Sequence, residues 1–105
     1  MNRYLYRLHP TRRAMISDGP TDAEAGLITL HFKYLKRLTE RGVALFVGRT
    51  TGSEAFGIVV YEAASDEEAE AIMLADPAIA GAVMSGEWFP FRIVLHSDFD
   101  NDPPL

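Results

Sequence analysis

Two short runs, Val43-Ala44-Leu45-Phe46-Val47 and Ile58-Val59-Val60-Tyr61, are apolar at every position. Successive residues of a strand point to opposite faces, so each run presents apolar side chains on both. An antiparallel sheet with one wet face alternates apolar and polar residues instead. Both faces of these strands therefore call for cover. A chain of 105 residues has little material to supply it. Its length fits one domain, read as residues 1–95 followed by an acidic tail, 96–105. The expectation is a homodimer, sheet against sheet. The competing explanation is β-branched residues tolerated on a wet face.

The rest of the chain sets these runs in order. Arg3 to Leu8 alternates around Tyr4 and Tyr6 and reads as a strand that His9-Pro10 ends. Residues 10–20 read as a polar loop closed by Asp18-Gly19-Pro20. Thr21-Asp22-Ala23-Glu24 has capping-box spacing and predicts a helix to about Arg41, stopped by Gly42. Val43 to Val47 reads as a buried strand and Phe56 to Tyr61 as the next, joined by the Gly48–Ser53 connection. Ser65-Asp66-Glu67-Glu68 is a second capping box, opening a helix to about Ala75. Pro77 ends or restarts it, with one short helical turn after. Ser85-Gly86 reads as a turn and Trp88 to Leu95 as a last strand carrying Pro90, which an edge position tolerates. The order β-α-β-β-α-β predicts an α+β, ferredoxin-like βαββαβ sandwich. Its four-stranded antiparallel sheet carries two helices on one face, in strand order 4-1-3-2.

Composition narrows the function classes. With no Cys, disulfide frameworks, thiolate zinc sites and cysteine nucleophiles are excluded. No apolar run is long enough to span a membrane, and no apolar segment follows Met1, so a cytoplasmic location is expected. The net charge is −5, but Asp98, Asp100 and Asp102 lie in the tail, and the body, 10 positive against 12 negative, stands at −2. A mildly acidic body argues against nucleic acid as a partner. Asp98-x-Asp100-x-Asp102 mimics the opening of a calcium loop but lacks the glycine and the distal glutamate, so no metal is expected there. No phosphate-cradling glycine loop and no nucleophile elbow is present.

Two polar residues fall on apolar faces. Leu27, Ile28, Tyr34, Leu35 and Leu38 lie within about 60° of one line along the first long helix, and the line passes through His31. His31 is either a core histidine with both nitrogens satisfied or a functional group. Glu24 lies on the same line but about 10 Å up the axis, and serves the helix cap equally well. Asp76 follows Ala69, Ile72 and Met73 at i, i+3, i+4, i+7 spacing, so it emerges toward the core. Asp76-Pro77 is also a good N-cap pair for the short turn that follows. The two helices share a sheet face, which lets His31 and Asp76 meet. A carboxylate on one imidazole nitrogen fixes the tautomer and frees the other as a general base. Lesser candidates are Tyr34, one turn from His31, as a hydroxyl donor to a ligand; Arg49 as an anion ligand; and His9 and Ser85 at a pocket rim. Arg3, Arg7, Arg12 and Arg13 read as solvated, or as one or two ligands for an anionic substrate group.

The segments His31-Phe32-Lys33-Tyr34-Leu35-Lys36-Arg37-Leu38, Gly42, Gly48-Arg49-Thr50, Ala75-Asp76-Pro77-Ala78 and Phe89-Pro90-Phe91, in that order, resemble the YCII-related family over residues 3–95. The resemblance implies a ferredoxin-like fold of the dimeric α/β-barrel type. It also implies a His–Asp pair in a pocket as an acid–base site, matching His31 and Asp76, with lyase or dehydrochlorinase chemistry on ring compounds in some members. The loop from Thr11 to Pro20 and the Asp-rich tail depart from the family pattern. Two functions follow as expectations. One is a small acid–base enzyme without cofactor, of lyase or isomerase type, acting on a small organic molecule. The other is a non-catalytic dimeric module that binds a small ligand or a protein, with a structural His–Asp pair.

Overall fold

The computed structural model describes residues 1–103. The element order is β1 (Asn2–Pro10), α1 (Ala14–Asp18), α2 (Asp22–Glu40), β2 (Ala44–Arg49), β3 (Gly57–Ala63), α3 (Asp66–Leu74), α4 (Pro77–Ala80) and β4 (Met84–Pro90). One antiparallel sheet has the order β2-β3-β1-β4, the expected ferredoxin-like arrangement with Pro90 on an edge. The register pairs Tyr4 with Tyr61 and Tyr6 with Val59. These residues, with Leu8 and Ala63, form the sheet side of the core, against Leu35 and Leu38 of α2 and Ala69 and Met73 of α3.

Local chemistry sets the helix ends. The Thr21 hydroxyl accepts from the Glu24 amide at 3.2 Å, and the Glu24 carboxylate accepts from the Thr21 amide at 2.8 Å, a complete capping box. The second box is half formed. Ser65 accepts from the Glu68 amide, but Glu68 reaches back to the Ala64 amide instead of that of Ser65. Gly42 ends α2 at φ +75°, as a left-handed stop requires. The short helix α4 ends in the same double-bonded manner, Val83 N–H to Ala78 C=O and Ala82 N–H to Ile79 C=O, but with Ala82 at φ 61° where glycine is usual.

Four expectations are corrected. The polar loop after β1 contains α1, whose Met15 is buried. The run Val43–Val47 is not a buried strand. In β2 only Ala44 is buried, and Phe46 and Val47 are 40% and 43% exposed. The reason is position: β2 is an edge strand, and no helix covers the sheet face that Phe46 shares with Val60, Leu5 and Phe89. Ser85-Gly86 is not a turn. The left-handed Ala82 has already reversed the chain, so β4 starts at Met84, with Ser85 opposite His9. The last strand ends at Pro90 rather than Leu95, and after it, among the described residues, the Phe91 N–H to Arg3 C=O bond alone continues the ladder. Pro104 and Leu105 of the acidic tail lie outside the described residues.

Of the arginines of the first segment, Arg3, Arg7 and Arg13 are exposed, as expected, and Arg12 is half-buried. Arg3 pairs with Glu62 at 3.5 Å and Arg7 with Glu87 at 3.2 Å. Arg12 forks onto Glu24, Nε to Oε2 at 2.9 Å and Nη2 to Oε1 at 2.6 Å, tying the α1 segment to the start of α2. Glu24 therefore serves its cap and Arg12, not His31. The Arg12 bonds foremost, with the Thr21 amide behind them, hold the Glu24 carboxyl down at about 2 against an ordinary 4.5.

Two outcomes are expected. Ala82→Gly raises stability by about 0.5–1 kcal/mol in urea unfolding, because a left-handed alanine costs more than the extra chain entropy of glycine. A loss of stability would show that Ala82 is not strained. The lowered Glu24 value contributes stability above its unfolded value, and this is lost as pH falls from 4.5 toward 2. The stability gap between wild type and Arg12→Ala is thus constant near neutrality and closes over that acid range. A gap that persists unchanged at the acid end contradicts the assignment.

Candidate functional site

The site is built where α2 and α4 touch, above β1. A side chain at Gly81 would strike Leu27 of α2 at 2.6 Å and the Pro77 carbonyl at 2.9 Å, so the two helices approach closely only because that position carries none. This approach brings His31, on the inner face of α2, to Asp76, the N-cap of α4. The imidazole Nδ1 lies 2.7 Å from Asp76 Oδ1 and 2.9 Å from Oδ2.

Asp76 is fully buried, the one polar residue in the interior among the described residues. A carboxylate taken from water needs hydrogen bonds to remain charged. It receives two besides His31: the Ala78 amide donates to Oδ1 at 3.0 Å, and the Tyr6 hydroxyl donates to Oδ2 at 2.7 Å. Burial foremost, and then the Asp76 charge, push the Tyr6 phenol well above its ordinary range, so it stays protonated and can only donate to the carboxylate. With the carboxylate accepting throughout, the shared proton belongs on His31 Nδ1 and the lone pair on Nε2. Among the described residues Nε2 has no partner. His31 keeps 14% of its side chain exposed, and no buried side-chain nitrogen or oxygen among the described residues lacks a partner. Nε2 therefore opens to solvent. Such a group is able to take a proton from a small molecule and return it.

Of the other sequence candidates one is near the pair and the rest lie apart. Tyr34 is close by on α2, but its hydroxyl donates to the Ile72 carbonyl at 2.6 Å, so its donor is already used. Burial raises its phenol above the ordinary range. His9 and Ser85 hydrogen-bond each other, Nε2 to Oγ at 2.9 Å, as an exposed cross-strand pair on the sheet face away from the helices. Arg49 lies on β2, two strand spacings or roughly 10 Å from β1. It lines a 290 Å3 cleft with Gly48, Thr50, Phe56 and Ile58. A second cleft, 320 Å3, is lined by Tyr34, Leu38, Arg41, Val43, Glu68, Ala71, Ile72 and Ala75. Neither cleft is lined by His31 or Asp76. Among the described residues no group of three or more His, Asp or Glu side chains is placed to hold a metal ion, and no helix is long and apolar enough to cross a membrane.

Sequence reasoning missed Tyr6. Its alternation with Tyr4 and Leu8 marks it as facing the core, and a buried tyrosine hydroxyl needs a partner. That rule could have raised the question, but the answer depends on where α4 sits across the sheet.

Asp76 carries the stability of this site. Asp76→Ala strands the imidazole, the phenol and the α4 amide together, and an expected loss of about 3–5 kcal/mol follows from breaking a buried, hydrogen-bonded pair. Tyr6→Phe removes one bond to a charged group and costs about 1.5–3 kcal/mol. Chemical unfolding of both variants checks the ranking, which fails if Tyr6→Phe proves the more damaging.

Comparison with known proteins agrees with this architecture. The chain is similar to 5-chloro-2-hydroxyhydroquinone dehydrochlorinase from Burkholderia phenoliruptrix AC1100, whose structure was solved in complex with 2,5-dihydroxybenzoquinone. The TM-score is 0.61 at 15% identity, over 85% of this chain and 93% of that one. At this identity the likeness is one of fold. No curated protein sequence matches. The YCII-related domain matches residues 6–92, which hold Tyr6, His31 and Asp76, and the chain belongs to that family.

Proposed function

We propose that the chain is a cofactor-independent acid–base catalyst of lyase or isomerase type acting on a small organic molecule. The observation that carries this is the buried Asp76 carboxylate, which holds His31 by Nδ1 and leaves Nε2 free at the surface. His31 is the proton carrier and Asp76 the group that orients it. Nε2 takes a proton from a carbon next to a carbonyl. The electron pair moves into a new double bond. In an elimination a leaving group departs with its own bonding pair. In an isomerisation the pair rests on the carbonyl oxygen until the imidazolium returns the proton at another carbon. No nucleophile is required. Oxygenated ring compounds are the first substrates to test, since a dehydrochlorinase of this fold acts on one.

The working unit in this reading is a homodimer closed sheet against sheet. Phe46 and Phe89, 40% and 45% exposed on the face without helices, support it. Proton transfer in this reading is assigned to His31 and Asp76 alone, and Tyr34, Arg49, His9 and Ser85 are kept as candidates for substrate binding. A non-catalytic ligand-binding module is the second reading. It is favoured by one observation, that neither described cleft reaches the dyad.

A thermal-shift screen of small acids, phenols and lactones, followed by turnover assays on the hits, tests the proposal. His31→Ala, assayed where its unfolding curve shows the destabilised variant still folded, is expected to lose turnover by at least about 100-fold, the usual contribution of a positioned acid or base. Turnover that survives in His31→Ala removes His31 from the mechanism. Ligands that bind wild type and His31→Ala alike, without reacting, favour the module.

A further inference from the structure

The domain match ends at residue 92, and a tail follows whose composition is unlike the body. Val94, Leu95 and Phe99 are 79%, 90% and 72% exposed, and Phe99 stands between Asp98 and Asp100. Among the described residues the last main-chain tie from this end is Phe91 N–H to Arg3 C=O. Exposed aromatic and aliphatic side chains within an acidic segment make a poor solvated tail but a good ligand for an apolar cleft with a cationic rim.

The cleft at the β2–β3 hairpin is such a receptor. Gly48 leaves the gap: a side chain placed there would meet nothing within 4 Å. Phe56 and Ile58 supply apolar walls, and no acidic residue lines it. Its 290 Å3 is ample for one phenyl ring, which a dry cavity of roughly 150 Å3 already accepts. Arg49 stands at the rim. Its only hydrogen bond among the described residues is to the neighbouring Thr50 carbonyl at 3.5 Å, and no carboxylate pairs with it, unlike Arg3, Arg7 and Arg12. The Arg7 guanidinium, itself paired with Glu87, lies over the Phe56 ring at 5.4 Å from its centre.

We propose that this cleft is a docking site for the tail of a second copy of the chain, with Phe99 seated against Phe56 and Ile58 and Asp98 or Asp100 paired with Arg49. The register places the tail's exit beside Arg3 on β1, and the cleft beside Ile58, the partner of Arg7, four residues along and on the other side of β3. A tail folded back across its own sheet would bury part of its apolar side chains, yet Val94, Leu95 and Phe99 all stand exposed. Their exposure argues for the cleft of another copy. This inference rests on the homodimer reading but not on the chemistry assigned to His31.

Sedimentation equilibrium of the full chain, its variants and a chain ending at Leu95 gives the first test. The expected result is a dimer whose dissociation constant rises at least about tenfold in Phe99→Ser, in Arg49→Glu and on truncation. Combining Arg49→Glu with Asp98→Lys and Asp100→Lys should restore it to within about threefold, which a general loss of folding cannot imitate. Because the chain has no cysteine, engineered pairs give a second test. Chains carrying Asp100→Cys are mixed with chains carrying Thr51→Cys, and with chains carrying Lys36→Cys on the basic face of α2 as a control. Rapid disulfide formation between Cys pairs at 100 and 51, and not with position 36, supports the docking. A dimer indifferent to truncation overturns the tail's role while leaving the dimer intact. A monomeric wild type overturns both. A disulfide formed within one chain carrying both substitutions, but not between chains, or faster crosslinking at position 36, overturns the assignment of the cleft.

Discussion

One buried carboxylate ties the helix layer to the sheet. Asp76 starts α4 through the Ala78 amide, anchors α2 through His31 and β1 through the Tyr6 hydroxyl. A charge so placed is unfavourable unless several donors compensate it, and a partial set is worse than none. The three donors come from three elements distant in sequence, and so the carboxylate is satisfied only when all three are in place. The bonds specify the arrangement more than they add to its energy. The close approach at Gly81, the αL turn at Ala82 and the inward face of α2 all serve to bring those donors to one point.

Much of this was legible in the sequence, and the legible part is local. Capping residues at Thr21 and Ser65, the stop at Gly42 and the Asp76-Pro77 pair act within a few residues, and each lies where its spacing indicates. The meeting of His31 with Asp76 was legible because both break the apolar periodicity of elements that share a sheet face. The two readings of Asp76, cap or histidine partner, were never exclusive. Its two oxygens have lone pairs enough for both and for Tyr6 as well.

What the sequence hid depends on neighbours across the sheet. Val43–Val47 reads as buried because its side chains are apolar, yet burial is decided by what lies alongside, and an edge strand lacks one neighbour. Ser85-Gly86 has the composition of a turn, but an alanine three residues before Ser85 takes the left-handed conformation, and the glycine lies instead where Ile79 and Met73 press on β4. A conformation that disfavours its own residue is invisible to propensity and is imposed by tertiary packing. Tyr6 escaped notice for a related reason. A tyrosine in a buried row looks like core until the acceptor for its hydroxyl is found.

The two faces of the sheet divide the molecule's tasks. The helix side holds the carboxylate network, in which each change propagates through shared hydrogen bonds. The other side holds Leu5, Phe46, Val60 and Phe89 beside the surface ion pairs Arg3–Glu62 and Arg7–Glu87, which are worth little individually and tolerate exchange. Strand alternation keeps the two sets on the same backbone without contact. Substitutions on the face without helices therefore need not disturb the histidine, and substitutions around the histidine need not disturb that face. That separation suits a scaffold that keeps its fold at 15% identity and here carries an acidic tail beyond the matched domain.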